Sequence, residues 1–567
     1  MTREVWVKEL EDSLGSEKVS DNPAVLACYA TLGSWDRRPS TMPRTKIIKC
    51  VCVPETVDDV QNIIRIANKY KLSIVPAVTD MMERWRAAPF SGFKPVIDIW
   101  VDLSRMDKII EINIEEAYAV VEPGVSFYQL GQELEKHGYW VSCGSYPPTA
   151  SVFARLSFFG QNLPTRIGDW ILGYEIVLPD GSVRRTQGGE VGRWFRFHTN
   201  PFPIRMAELI SMAPQLFGII TKCALVIRPK FERSEIMFVG FKDYESALKA
   251  TTATARRFLQ DGSFVWNWVA MLAKEAFLDP NFEKTSEYIL HYTTRPPWDV
   301  PQGFYYNYMW AVFHGGEREV EARMKEFEDI SKHFKGKIIA EREMEDTLPY
   351  TYRDVIESER DHKYGLGATI GHFAQAGGWF SLLLFSRHTV MPKIEQFLVR
   401  KFWEDYGINV PYYSERPHMG AHQPCYLRVL LRTDALEEID PIYATYHNTM
   451  IASILRSILK EFHKDIFLDN FVGLWQYAES IKALSEIMPE IKVPDPPSDV
   501  AELIKLAYER VNVSFVPIIS KIKRALDPDL IISPWSLLSY EPSFIKDLIK
   551  MGRLQVIPEL LPPEVRG

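Results

Sequence analysis

Long apolar runs are missing from this chain. No stretch approaches the ~18 residues that a membrane-crossing helix needs, so no membrane helix and no membrane partner are expected. Cysteine is scarce: Cys28, Cys50, Cys52, Cys143, Cys223 and Cys425 are scattered over 567 residues, which is no disulfide framework and fits a reducing compartment. The opening stretch MTREVWVKELEDSLG reads as an acidic amphipathic helix. It lacks the basic start and apolar run of a leader, so the expected location is cytoplasmic. Basic runs are absent as well, and with a net charge of −8 a nucleic-acid partner is not expected. Several motifs are also missing: GxGxxG after a strand, GxxxxGK(S/T), GxSxG, HExxH and CxxC. One local absence matters most, because no glycine stands between Val78 and Gly92.

What is present is ordinary globular usage, with 46% apolar and 25% charged residues. The length exceeds one simple core and predicts two or three packed units. The 15 Trp, 25 Tyr and 31 Phe permit an aromatic-lined pocket without requiring one. KIIKCVCV reads as a strand, on which Cys50 and Cys52 share a face as a structural pair. ETVDDVQNIIRIANKYK follows with helical periodicity, opened by Thr56 and acidic residues in the first turn. LSIVPAV, PVIDIWVDL, INIEEAYAVVEPGV and IVLPDGSV add strands, with YQLGQELEKHG as a helix among them. Pro179-Asp180-Gly181 is a hairpin turn, and a further strand runs from Ile219 to Ile227.

After about Phe231 the pattern changes. Three stretches each pair a strand with an amphipathic helix: SEIMFVGFKDYESALKATTATARRFL, YYNYMWAVFHGGEREVEARMKEFEDI and GGWFSLLLFSRHTVMPKIEQFLVRKFWEDYG. They predict an antiparallel sheet backed by helices, so the fold class is α+β. VPDPPSD near Val493 reads as a linker. The expected division is residues 1–230, 231–495, and a tail, 496–567, that returns to the first unit.

The order of these blocks is similar to the vanillyl-alcohol oxidase / p-cresol methylhydroxylase family of FAD-linked oxidoreductases. CVCVPETVDDVQNIIRIANKYKLSIVP resembles that family's first βαβ unit. AYAVVEPGVSFYQLGQELEKHG resembles the next, with Pro123 and Gly124 at its turn, and IGDWILGYEIVLPDGSVRRT the strand pair after it. LFGIITKCALVIRP, holding Gly218, Ile219 and Thr221, resembles the segment that closes the flavin domain, and ALDPDLIISPW the family's ending. The resemblance implies a flavin-binding domain of two α/β subdomains, a cap domain over a small aromatic substrate, FAD as cofactor, and a homodimer or a flavoprotein paralogue as partner.

Two stretches depart from the family. Its pyrophosphate loop is rich in small residues, because only they let backbone amides approach a diphosphate. Here Ala87, Ala88 and Pro89 are in place, but Met81, Met82, Glu83, Arg84, Trp85 and Arg86 precede them. In CGSYPPTASVFARLSFFGQN, Ala154 and Arg155 stand about where the family has a small residue and a polar one, and Leu156, Phe158 and Phe159 are bulky. Two readings stay open. Arg84 and Arg86 hold the pyrophosphate by side chain, since arginine pairs well with phosphate. Otherwise the chain carries no flavin, or a different ligand in the vacated channel, and can serve as a non-catalytic subunit beside an active relative.

The resemblance also supplies candidate chemistry. Asp169, after Gly168, resembles an acid/base position of the family, and Arg166 is the alternative for that place. In PYYSERPHMGAHQPCYLRVLLRTD, His422 or Gln423 falls nearest the histidine that carries FAD covalently in some members. Tyr412, Tyr413 and Arg428 are candidates for phenol or anion contact. His418 and His422, spaced so that both share one side of a helix or strand, with His372 form a candidate metal set for a flavin-independent enzyme.

Overall fold

In the computed structural model, the described residues are 4–30, 47–78, 93–141, 149–152, 171–186, 216–280, 295–361, 379–415, 425–432, 516–534 and 542–556, with scattered positions between 454 and 468. The first unit grows from a βαβ turn. The helix Val57–Tyr70 starts at a capping box: the Thr56 hydroxyl accepts the Asp59 amide at 3.1 Å and the Asp59 carboxylate accepts the Thr56 amide at 3.3 Å. Lys71, at φ 55°, ends it. Val60, Ile63, Ile64 and Ala67 recur at helical spacing and are buried. On either side of the helix, β2 (Ile47–Cys52) and β3 (Ile74–Ala77) both run parallel to β4 (Phe93–Asp102). The edge strand β1 (Val19–Ser20) pairs with β2, and the late strand β20 (Leu554–Val556) closes antiparallel onto β4.

The second sheet is antiparallel, in the order β5-β6-β10-β8-β9. Its strands are β5 (Ile109–Asn113), β6 (Tyr118–Val121), β8 (Ile171–Val177), β9 (Val183–Arg185) and β10 (Ile219–Val226). The stretch INIEEAYAVVEPGV thus divides into two strands. Asn113 Oδ1 accepts the Glu116 amide at 2.9 Å and Ala117 adopts φ 54°, which turns the chain between β5 and β6. The Pro179-Asp180-Gly181 hairpin forms as expected, with Gly181 at φ 82°.

A short pair, β7 (Tyr139–Trp140) with β11 (Arg228–Pro229), marks the exit from this unit. Trp140 packs against Phe231 at 5.0 Å between ring centroids, and Phe231 stacks on His314 at 4.6 Å.

The third sheet has eight antiparallel strands, ordered β15-β12-β14-β13-β17-β18-β16-β19. They are β12 (Arg233–Phe241), β13 (Gly262–Asn267), β14 (Asn307–Gly315), β15 (Lys337–Ile339), β16 (Trp379–Ser386), β17 (Tyr412–Glu415), β18 (Cys425–Arg432) and β19 (Ile466–Leu468). The three expected strand–helix pairs form, through the helices Tyr244–Ala255, Glu317–His333 and Met391–Tyr406. Alternation splits the sheet into two cores. Val239, Val265, Met309, Leu384 and Tyr412 bury one face with those helices. Phe238, Phe264, Trp266 and Trp310 bury the other with the helices Trp268–Leu278 and Pro349–Val355. The architecture is α+β. The tail packs on the first core, where Leu530, Ile531, Ile532, Leu548 and Leu554 join residues from Trp6 to Ile227. The linker read near Val493 lies outside the described residues.

Candidate functional site

Two regions hold the described candidate residues. The first is the frame around β3, the Pro123-Gly124 turn and the tail. The Gly124 amide donates to the Met106 carbonyl at 2.7 Å, and a Cβ on Gly124 would press into the backbone carbonyl of Ser104. Only glycine allows that approach. The Ser151 hydroxyl donates to the Pro123 carbonyl, and the Val152 amide to the Val125 carbonyl at 2.9 Å. These bonds hold residues 149–152 on the turn just before the stretch that contains Arg166 and Asp169. At Gly218, an added Cβ would stand 2.5 Å from the Val177 carbonyl.

Ile219 pairs with Val177 across β10 and β8. The buried Thr221 hydroxyl donates to Glu175 at 3.1 Å. Burial pushes the Glu175 carboxyl up, but Lys222 at 2.7 Å, Arg185 at 3.1 Å and Thr221 outweigh it and hold it below its ordinary range.

The tail is fastened to this frame by a fully buried ammonium. Lys523 Nζ donates to the carbonyls of Leu216 and Ile532 and to Asp527, each at 2.6 Å. Asp527 in turn accepts the amides of Ile531 at 2.8 Å and Ile532 at 2.9 Å. Residues 531–533 therefore run parallel to β3, with the Ile74 amide donating to Ile531 at 2.7 Å and the Ser533 amide to Ile74 at 2.8 Å. Ser533 is 6% exposed, and its hydroxyl has no partner among the described residues. Ligands of open α/β sheets sit beyond the carboxyl ends of the parallel strands, and the tail heads toward that end of β3. The unpartnered Ser533 hydroxyl stands beside Ile74, the first residue of β3, and a buried hydroxyl in want of a partner along the path to that end is compatible with a polar dinucleotide such as FAD. Arg84, Arg86 and Ala87, and also Arg166 and Asp169, lie outside the described residues.

The second region is the eight-stranded sheet. Trp266 of β13 pairs with Tyr413 of β17, and Tyr413 with Arg428 of β18. Ladder partners share a face. Tyr413 is thus in register with both Trp266 and Arg428, whereas the Tyr412 side chain goes to the opposite core, where its hydroxyl donates to Glu395. Sequence spacing alone could not have set that register.

Several residues near this row were missed. The Lys274 ammonium, 1% exposed, sits 2.6 Å from Asp354 and 5.5 Å from the Trp266 ring centroid. Next to it, the Glu275 carboxylate accepts the amides of Tyr350 at 3.1 Å and Thr351 at 2.7 Å, capping the helix Pro349–Val355 from another helix. Burial raises the Glu275 carboxyl above its ordinary value despite those bonds. A lone Lys-Glu pair in the apolar helix WVAMLAKEAFL was the available signal. On the opposite face Glu395 is buried, accepting hydroxyls from Tyr412 at 2.6 Å and Tyr306 at 2.9 Å. Desolvation pushes its carboxyl up to about 7.

His372, His418 and His422 lie outside the described residues, and among the described residues no group of three metal-ligating side chains occurs. Nor, among them, is any helix long and apolar enough to cross a membrane.

The FAD binding domain family matches residues 48–187. The flavoprotein subunit of 4-cresol dehydrogenase (hydroxylating) from Pseudomonas putida is 25% identical over 374 residues, 62% of this chain and 69% of that protein. Among solved structures, p-cresol methylhydroxylase with substrate bound superposes with a TM-score of 0.66 at 19% identity, over 94% of this chain and 96% of that one. The isoeugenol complex of 4-ethylphenol oxidase from Gulosibacter chungangensis does so with a TM-score of 0.68 at 18% identity, over the same shares of 94% and 96%.

Proposed function

We propose that the chain is a member of the vanillyl-alcohol oxidase / p-cresol methylhydroxylase family, whose fold it shares, and that it acts, alone or with a partner, in an FAD-linked oxidation of a small phenolic or otherwise hydroxylated aromatic substrate. The observation that carries this reading is the row Trp266, Tyr413 and Arg428 across neighbouring strands of the sheet. A phenolic hydroxyl and a guanidinium are each suited to a phenolate oxygen, and the register brings these two residues to adjacent strands. Two relatives named above act on cresol or an ethylphenol, which supports the same substrate class.

When bound, FAD supplies the hydride acceptor; orientation and electrostatics come from the protein. In this proposal the division is a flavin-type domain over residues 1–230, a cap over 231–495 and the returning tail 496–567. Arg84 and Arg86 neutralise the diphosphate, with Ala87 leaving room for it. Pro123, Gly124, Gly218, Ile219 and Thr221 keep the backbone of the flavin site in register, and Ser533 offers a hydroxyl to it. Tyr413 and Arg428 hold the phenolate, Asp169 or Arg166 carries the proton of the reaction, and His422 is the candidate for a covalent flavin link.

A second reading is favoured by one specific feature, the run Met81 to Arg86 where small residues would cradle a diphosphate. On that reading the chain is a flavin-free subunit partnering an active flavoprotein or a second copy of itself.

The visible absorption spectrum of the freshly purified protein, before and after acid precipitation, separates the two. Flavin bands at about one per chain support the first reading and make R84A and R86A the next variants; bands retained in the pellet point to His422. A colourless protein removes flavin chemistry from this chain. A stoichiometric transition metal in that colourless protein would turn attention to His372, His418 and His422.

A further inference from the structure

Glu395 sits in the helix Met391–Tyr406, 4% exposed, on the face of the sheet that Tyr412 buries. Its Oε1 accepts the Tyr412 hydroxyl at 2.6 Å and the Tyr306 hydroxyl at 2.9 Å. Asn307 Nδ2 donates to the Tyr412 hydroxyl at 3.1 Å. The Tyr412 amide donates to Asn267 Oδ1 at 3.0 Å, and Asn267 Nδ2 to the Val410 carbonyl at 2.9 Å. Strand β17 is only four residues long, so these bonds are a large share of what holds it from behind. Among the described residues, the titratable groups acting on the carboxyl are Tyr412 and Tyr306, which donate to it, and Asp243 at the N-cap of the helix Tyr244–Ala255, which repels its charge. None of the three is a cation.

We propose that Glu395 is the positioning residue of β17: its neutral carboxyl, joined to Tyr412 and Tyr306, keeps the strand seated with Tyr413 opposite Arg428, and ionisation of that carboxyl releases the strand. The physical reason is solvation. A neutral carboxyl is tolerated in an apolar core, whereas a carboxylate there, without a cation, is costly. Opening β17 lets water reach the charge and restores ordinary acidity, so the open form binds fewer protons than the seated one. Rising pH therefore favours opening, and the proton goes to solvent. What the release does to a substrate rests on the proposed roles of Tyr413 and Arg428; the strand's own response to pH does not.

The test is hydrogen exchange of the full chain, read by mass spectrometry on peptides containing β17 and corrected for the intrinsic pH dependence of exchange. In the wild type, protection of β17 is expected to fall on the order of 50-fold between about pH 5 and pH 8 and to level off above about 7. E395Q, which keeps an acceptor without a titrating charge, should give a flat profile. Y306F removes one of the hydroxyls that favour the ionised form, so its levelling point should move to higher pH; this variant carries the test if E395Q fails to fold. A flat wild-type profile, or the same pH dependence in E395Q, overturns the proposal. Calorimetric titration with 4-methylphenol at both pH values separates the two layers. Absence of binding in any form, with the exchange result intact, sinks the phenol reading and leaves the positioning role standing. Binding with a flat exchange profile does the reverse.

Discussion

Replacing Lys523 by Met tests how the tail is held against the flavin-type domain. The ammonium is fully buried and spends its three donors on Leu216, Ile532 and Asp527, 2.6 Å from each. Methionine fills similar space without charge. It leaves two buried carbonyls unpaired, at about 1–3 kcal/mol each, and leaves the Asp527 carboxylate with only the amides of Ile531 and Ile532. Removing one partner of a buried pair costs about 3–5 kcal/mol, so the expected loss is about 4 kcal/mol. The loss is local, because the bonds it removes seat residues 531–533, whose own backbone bonds to Ile74 close the contact with β3. Protection of the Ile74 and Ser533 amides, which close that contact, should drop by roughly three orders of magnitude. D527N alone strands the cation and should cost about 3 kcal/mol. The K523M/D527N double variant should be less destabilised than the sum of the singles, by about 2 kcal/mol, since the groups act as a unit. Exchange protection at these amides within tenfold of wild type in K523M, or strict additivity in the double variant, would refute this account of the clasp.

Three further outcomes are expected. G124A forces a Cβ against the Ser104 carbonyl, which is backbone and yields poorly, so a loss of about 1–3 kcal/mol should appear in urea unfolding followed by Trp fluorescence. S533A should leave the stability of the flavin-free chain unchanged while weakening FAD uptake by about tenfold, as measured by quenching of FAD fluorescence; equal uptake removes Ser533 from the cofactor site. Glu175 is held below its ordinary value in the folded state by Lys222, Arg185 and Thr221 acting against burial. Its contribution to stability is thus fully present above the unfolded carboxyl value and lost as pH falls through the lowered folded one. Acid titration of E175Q should lack that part of the wild-type loss.

Short-range chemistry was legible in the chain itself. Thr56 followed by acidic residues and an apolar face at helical spacing specified the helix Val57–Tyr70, and Pro179-Asp180-Gly181 its hairpin, because caps and turns depend on groups a few residues apart. The three strand–helix pairs of the cap were legible for the same reason: period-two and period-3.6 patterns are local properties of the backbone. The division of INIEEAYAVVEPGV was not, since its turn depends on Ala117 entering a left-handed conformation that the residue type does not advertise.

The site belongs to tertiary structure. Tyr412, Tyr413 and Arg428 were candidates from sequence, but that Tyr413 is in register with Trp266 and Arg428, while the Tyr412 hydroxyl goes to Glu395, is specified only by the packed sheet. Lys523 looks like an ordinary surface lysine of an amphipathic helix until the fold brings Leu216, 307 positions away, to its ammonium. Glu395 likewise sits in a helix rich in charge, and only the placement of Tyr306 and Tyr412 removes it from water. The reason is the same in each case. Periodicity determines which face of an element is apolar, whereas the protonation and pairing of a single polar group depend on which distant atoms displace its solvent.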